Sequence, residues 1–194
     1  MAECLERPRA WYFLQLSSLV CVALGQPAFF PLMGVLASSI GFALHLRALD
    51  LSQSRWEPFF SFFLVQLFQL SWMSSIRYQG TAFLLVYALL AAGMGLQFMF
   101  FANKVHETRV LRPFAVFSLA AFWVLLEWSR VFLFCGFTFN FIGVSLASSL
   151  YSLQLASLFG VLGLSFWVMV VNLLALHALR KKERKRGVVW RSEE

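Results

Sequence analysis

The hydropathy of the chain falls into six apolar stretches, near residues 11–26, 29–46, 57–76, 81–101, 113–135 and 150–179. Crossing the hydrocarbon core of a bilayer takes roughly 20 residues of helix, and most of these stretches qualify. Composition points the same way. Of the 194 residues, 60% are hydrophobic and 13% charged, about half the charge of a soluble domain. Such a sequence carries too little polar surface to cover itself in water. The expected fold is therefore all-α, a polytopic transmembrane bundle of about six helices. The first two stretches meet at Gly25-Gln26-Pro27, and the last is long enough to tilt or to begin at the interface.

Orientation follows from Lys and Arg, which concentrate in short cytoplasmic loops. Arg7 and Arg9 precede the first stretch. Arg47 and Arg55 lie between the second and third, and Lys104, Arg109 and Arg112 between the fourth and fifth. Seven more follow the sixth, from Arg180 to Arg191, so fourteen of the sixteen basic residues fall on one side of a six-pass chain. The other side has Arg77, and Arg130 lies within the fifth stretch. Both termini are thus expected in the cytoplasm, with residues 1–180 as a transmembrane domain and 181–194 as a basic tail. The net charge of +7 then reads as a stop-transfer signal and a contact with anionic lipid in the bilayer, not as a nucleic-acid surface.

Several classes of chemistry find no support. No small-residue cleavage pattern follows the first stretch, so no signal peptide is expected. Cys4, Cys21 and Cys135 are scattered, as are His45, His106 and His177, and they imply neither a disulfide nor a metal site. No phosphate-cradling Gly loop or hydrolase elbow calls for a cofactor.

What remains is polarity at membrane depth. Glu127 and Arg130 are the opposite charges of one apolar stretch, three residues apart and so on one helix face. Charge there is expensive and faces protein or a water-filled cavity. The two read either as an internal ion pair that anchors the bundle or as a contact to a polar lipid headgroup or substrate. After them, Phe134 to Ser145 has no charge, four Phe, and Gly136, Asn140, Gly143 and Ser145 at intervals. We read this as a loop in the outer interface near which a lipid tail enters; the alternative is a kinked continuation of the helix. Trp72, Arg77 and Tyr78 end the third stretch on the same side. They read as an interfacial belt, with Arg77 also a possible phosphate contact.

The run Trp123 to Arg130, then Gly136-Phe137, Gly143-x-Ser145, Gln154-Leu155-Ala156, Gly160-x-x-Gly163-x-Ser165-Phe166 and Asn172, resembles the membrane domain of bacterial apolipoprotein N-acyltransferases. Gln26-Pro27-Ala28-Phe29 is similar to the first hairpin of that family. The strong part covers about residues 122–173. Thr138-Phe139 stands where the family usually has Pro-Trp, and Val144 where a Tyr is common. The resemblance implies a bacterial inner-membrane enzyme that moves an acyl chain from a phospholipid donor to the amino group of a diacylglyceryl-cysteine lipoprotein. In that family a Glu-Lys-Cys triad in a nitrilase-like domain outside the membrane does the chemistry. That domain is expected to be absent from these 194 residues. Cys135 does not match the nucleophile, and no residue is assigned as catalytic. Glu127, Arg130, Gly136, Phe137, Asn140, Gly143, Ser145, Gln154, Trp72, Arg77 and Tyr78 are the candidates for lipid handling or for structural support. The competing expectation is a small non-enzymatic membrane protein, a transporter or an accessory subunit.

Overall fold

A computed structural model of the chain describes residues 9–25, 31–52, 54–74, 80–108, 110–147 and 149–192. The α-helices among them are α1 (Arg9–Leu24), α2 (Pro31–Leu36), α3 (Phe42–Asp50), α4 (Glu57–Gln69), α5 (Ala82–Glu107), α6 (Pro113–Leu133) and α7 (Leu150–Ser192). A π-helical turn, Ala37–Gly41, carries α2 into α3 without a break. Six helical runs therefore answer the six apolar stretches in order. The chain is an all-α membrane helix bundle. Three of its helices, α5, α6 and α7 as far as Lys182, are long and apolar enough to cross a membrane.

Boundaries differ from expectation in three places. The third stretch stays α-helical only to Gln69 and then tightens into a 3₁₀ turn, Ser71–Ser74. Its 13 α-helical residues rise only about 20 Å. Serine is the physical reason: the Ser74 hydroxyl donates back to the Ser71 carbonyl at 2.6 Å, a local bond that competes with the helical ladder. Next, α3 and α5 run on to Asp50 and Glu107, so Arg47 and Lys104 stand on helices rather than in links. Finally, the sixth stretch is not one straight helix: α7 is kinked at Gly160, whose φ of 67° and ψ of −180° are non-helical, and then continues through the basic residues to Ser192. Lys and Arg are good helix formers and suit a helix C-terminus.

Two polar devices hold the bundle together. A π turn breaks the regular i→i−4 ladder and frees backbone groups that hydrocarbon cannot satisfy. Here Asn172 of α7 fills the gap. Its side-chain oxygen accepts from the Ala43 N–H at 2.9 Å, and its nitrogen donates to the Ser38 carbonyl at 2.6 Å. The second device is at the basic end. Arg180 donates to both carboxylate oxygens of Asp50, at 2.6 and 2.7 Å, and to the Val105 and Thr108 carbonyls at the end of α5. One side chain thus ties α7 to α3 and caps α5.

Between these ends lies an aromatic core. Phe62 of α4 stacks on Phe98 of α5 at 4.2 Å between ring centroids, and the buried Trp123 of α6 meets Phe98 and Phe101 edge-on at 6.0 and 5.0 Å. Rings of opposite quadrupole orientation favour this mixture of stacked and T-shaped contacts. The same core positions the next turns of α6, which carry Glu127 and Arg130.

Candidate functional site

The face of α6 that presents Trp123 also presents Glu127 and Arg130, and all three are buried. The helix stops at Leu133. Phe134, Cys135 and Gly136 turn the chain back, with Cys135 at φ 52° and Gly136 at φ 86°. The left-handed value at Gly136 is one that glycine adopts without penalty. The backbone then runs without helix or strand past Phe137 and Phe139 into a 3₁₀ turn, Ile142–Leu146. This is a loop and not a kinked helix.

The two charges clamp that loop separately. Among the described residues no ion pair within 4.0 Å joins Glu127 to Arg130. Of the two readings open from the sequence, a direct contact between the two charges is not formed. Glu127 Oε1 instead accepts from the Ile142 N–H at 2.7 Å. Arg130 donates through Nη1 to the Asn140 carbonyl at 3.2 Å and through Nε to Gln97 Oε1 at 2.7 Å. The reason is competition. The turn leaves loop N–H and C=O groups without helical partners, and the two charged side chains beneath it satisfy them. The Arg130 guanidinium also lies 5.7 Å and 5.9 Å from the ring centres of Trp123 and Phe141, within cation–π range.

From Arg130 a chain of amides crosses the bundle. Asn140, itself left-handed at φ 59°, donates to Gln66 Oε1 at 3.1 Å. Gln66 donates to Gln69 at 3.1 Å, and Gln69 donates to the Val22 carbonyl at 3.0 Å, capping the end of α1. Gln97 holds α5 to α6 through the Leu126 carbonyl. Each amide of this chain has a partner, which is what makes its burial tolerable; beside it, Glu127 Oε2 and Trp123 Nε1 are buried without a hydrogen-bond partner among the described residues.

The remaining candidates sit at different distances from this hub. Gly143 lets the loop rest directly on α7: a Cβ there would lie 2.5 Å from the Val161 carbonyl oxygen and 2.7 Å from the Ser165 nitrogen. Its N–H donates to the Ser165 hydroxyl at 3.0 Å. Ser145 is buried and bonds back to the Ile142 carbonyl. Phe137 is half-buried, and its ring lies 5.5 Å from Phe139, which in turn lies 5.6 Å from Trp72. Gln154 is exposed on α7 and takes no part in the hub. Arg77 and Tyr78 lie outside the described residues. Among the described residues no three His, Cys, Asp or Glu side chains come together as metal ligands. Sequence reasoning missed Gln66, Gln69 and Gln97 as site residues, and it named Ser165 only within the family motif. The three glutamines carried a visible signal: Gln66 and Gln69 are amides three apart in one apolar stretch, and Gln97 is an amide within another. Beside the hub, α6 and the first half of α7 enclose a groove of about 730 Å³ lined by Val124, Leu125, Leu155, Phe159, Leu162 and Phe166 among others.

The model of the apolipoprotein N-acyltransferase N-terminal domain matches residues 10–174, which include every bond of the hub. The chain belongs to that family. The apolipoprotein N-acyltransferase of Chlamydia muridarum is 34% identical over 165 residues, covering 80% of this chain and 30% of the relative. That of Chlamydia pneumoniae is 27% identical over 179 residues, covering 87% and 33%. That of Coxiella burnetii is 37% identical over 90 residues, covering 46% and 18%. The chain thus spans a third or less of the length of these curated relatives. No solved structure matches it. Within the N-acyltransferase N-terminal domain, the clamp of α6 on its following loop falls inside the matched region, as do Gly143, Ser165 and Asn172.

Proposed function

We propose that this chain is the membrane domain of a bacterial inner-membrane apolipoprotein N-acyltransferase, with both termini cytoplasmic, and that its loop after α6 receives lipid substrate. The reaction served is transfer of an acyl chain from a phospholipid to the free amino group of a diacylglyceryl-cysteine lipoprotein. The carrying observation is that the family match runs through the whole polar hub and the loop it clamps. Such a loop suits lipid handling. It offers Phe137, Phe139 and Trp72 at one surface, and an apolar groove beside α6 in which an acyl chain can lie. Glu127 and Arg130 act here as positioning residues, because both are buried beneath the loop.

The acyl transfer itself is assigned to the part of the relatives that these residues do not cover. Thioester formation needs a thiolate with a base and an oxyanion partner in contact. Cys135 is exposed at the loop, whereas Lys104, Lys181 and Lys182 belong to the opposite, basic end. The relatives' names favour this reading over a non-enzymatic membrane protein.

The test uses purified chain in lipid nanodiscs with a phospholipid carrying a photoreactive acyl tail. Cross-links are expected to concentrate on residues 134–147 and on the groove of α6 and α7, and to diminish when a diacylglyceryl peptide is added. Even labelling of every lipid-facing position, with no competition, would remove the loop from substrate handling. Hydroxylamine-sensitive label on Cys135 that moves to the peptide amine would place the chemistry in this chain instead.

A further inference from the structure

At the basic end of the bundle, away from the loop, a cavity of about 420 Å³ opens where α3 and α5 end and α4 begins. Its polar lining includes Asp50, Ser54, Arg55, Asn103, His106 and Glu107. We infer that this cavity binds a phosphate group, supplied by the headgroup of an anionic lipid.

The charges decide the sign of the ligand. Asp50 is taken up by Arg180, at 2.6 and 2.7 Å, with Arg47 also 3.5 Å from its Oδ2. Glu107 is paired with Lys104 at 3.3 Å. The carbonyls that end α5 are capped by Arg180, so the negative end of that helix is also answered within the protein. Arg55 is left over. It is exposed, lines the cavity and forms no ion pair among the described residues. His106 faces Asp50 through Nδ1 at 3.3 Å. The first turn of α4 follows directly, but it supplies no anion site of its own: it carries the Glu57 carboxylate, Pro58 has no N–H, and the Glu57 and Phe60 N–H groups donate to the Ser54 and Trp56 carbonyls. Around this end Arg47, Arg55, Lys104 and Arg180 outnumber Asp50, Glu57 and Glu107 by one cation, and that surplus is Arg55 at the cavity, whose guanidinium fork fits a phosphate.

The position decides the source. Trp56, next to Arg55, is 58% exposed, and Trp concentrates at the headgroup level of membranes. Lys and Arg crowd this same end in Arg47, Lys104, Arg112, Lys181 and Lys182. Basic pockets between membrane helices on that side hold anionic headgroups. This site stands apart from the loop after α6, so its failure leaves the acyl-donor reading intact, and the reverse holds too.

The experiment is native mass spectrometry of the whole chain in detergent, titrated with phosphatidylglycerol or with phosphatidylcholine of the same acyl chains. Phosphatidylglycerol is expected to be retained in preference. Arg55→Ala should lower that retention about fivefold, the weight of one basic residue at an anionic surface, and leave phosphatidylcholine unchanged. A Lys181→Ala/Lys182→Ala double variant should retain it nearly as well as the parent. Displacement by millimolar inorganic phosphate would support the phosphate site and overturn the headgroup as its source; no displacement supports the headgroup. Equal retention by Arg55→Ala and the parent, or a loss confined to the Lys181/Lys182 variant, would overturn the site. Arg55 is exposed, so its variant folds, and an unchanged melting temperature verifies this.

Discussion

Glu127 and Arg130 show how far a residue's partners can depart from its nearest opposite charge. They are three apart on one face, yet each is bound to the loop above rather than to the other. The difference is measurable, because a direct ion pair depends on charge and these bonds depend on shape. Glu127→Gln keeps an oxygen to accept from Ile142, whereas Glu127→Ala leaves that buried N–H unmet, a loss of about 1–3 kcal/mol. The Gln variant is therefore expected to melt well above the Ala variant in detergent. Arg130→Lys keeps the charge but cannot reach Gln97 and Asn140 together from one point. It should melt close to Arg130→Gln. Equal melting of Glu127→Gln and Glu127→Ala, with rescue by Lys at 130, would restore the ion pair as the main interaction.

Among the elements, the loop after α6 depends on two glycines for different reasons. Gly136 needs its positive φ, but nothing lies within 4 Å of a Cβ placed there. An alanine at 136 pays only the left-handed penalty, about 1–2 kcal/mol. Gly143 sits against backbone of α7 that cannot move aside locally. Gly143→Ala has to lift the 3₁₀ turn off α7 and break its bond to Ser165, so it is expected to cost more than Gly136→Ala by at least about 1 kcal/mol. Thermal unfolding of the two variants side by side measures this. The reverse order would mean that the loop is not seated on α7. Asn172 makes a related point for the π turn, since a wide turn between α2 and α3 persists because a side chain from a distant helix completes its ladder.

For the molecule as a whole, the end with Asp50, Arg180 and the basic helix extension opposes the end with the aromatic loop. If Lys and Arg set the orientation, the loop faces outward. In a Cys135→Ala background, a membrane-impermeant maleimide applied to intact cells should label Thr138→Cys and spare Ser54→Cys. Both positions are exposed, so accessibility within the protein does not bias the comparison. Labelling of Ser54→Cys alone would invert the bundle and place the Arg55 cavity outside.

Much of this was legible in the chain itself. Apolar stretches of bilayer length, with basic residues in alternate links, determine an all-α membrane bundle, because a chain in hydrocarbon has to satisfy its own backbone. Glycines beside Phe and Asn after Arg130 likewise mark a loop, and the ordered motif from Trp123 to Asn172 marks the family that the later match bears out. Only the tertiary structure decided who bonds to whom. Glu127 and Arg130 turn to the loop because its backbone groups lack helical partners. Gln66, Gln69 and Gln97 join the hub because α4 and α5 bring them beneath Asn140 and Arg130. Asp50 meets Arg180, 130 positions away. Hydropathy is a property of each segment and can be read along the chain; a hydrogen bond between segments depends on which faces meet, and that is settled only when the helices pack.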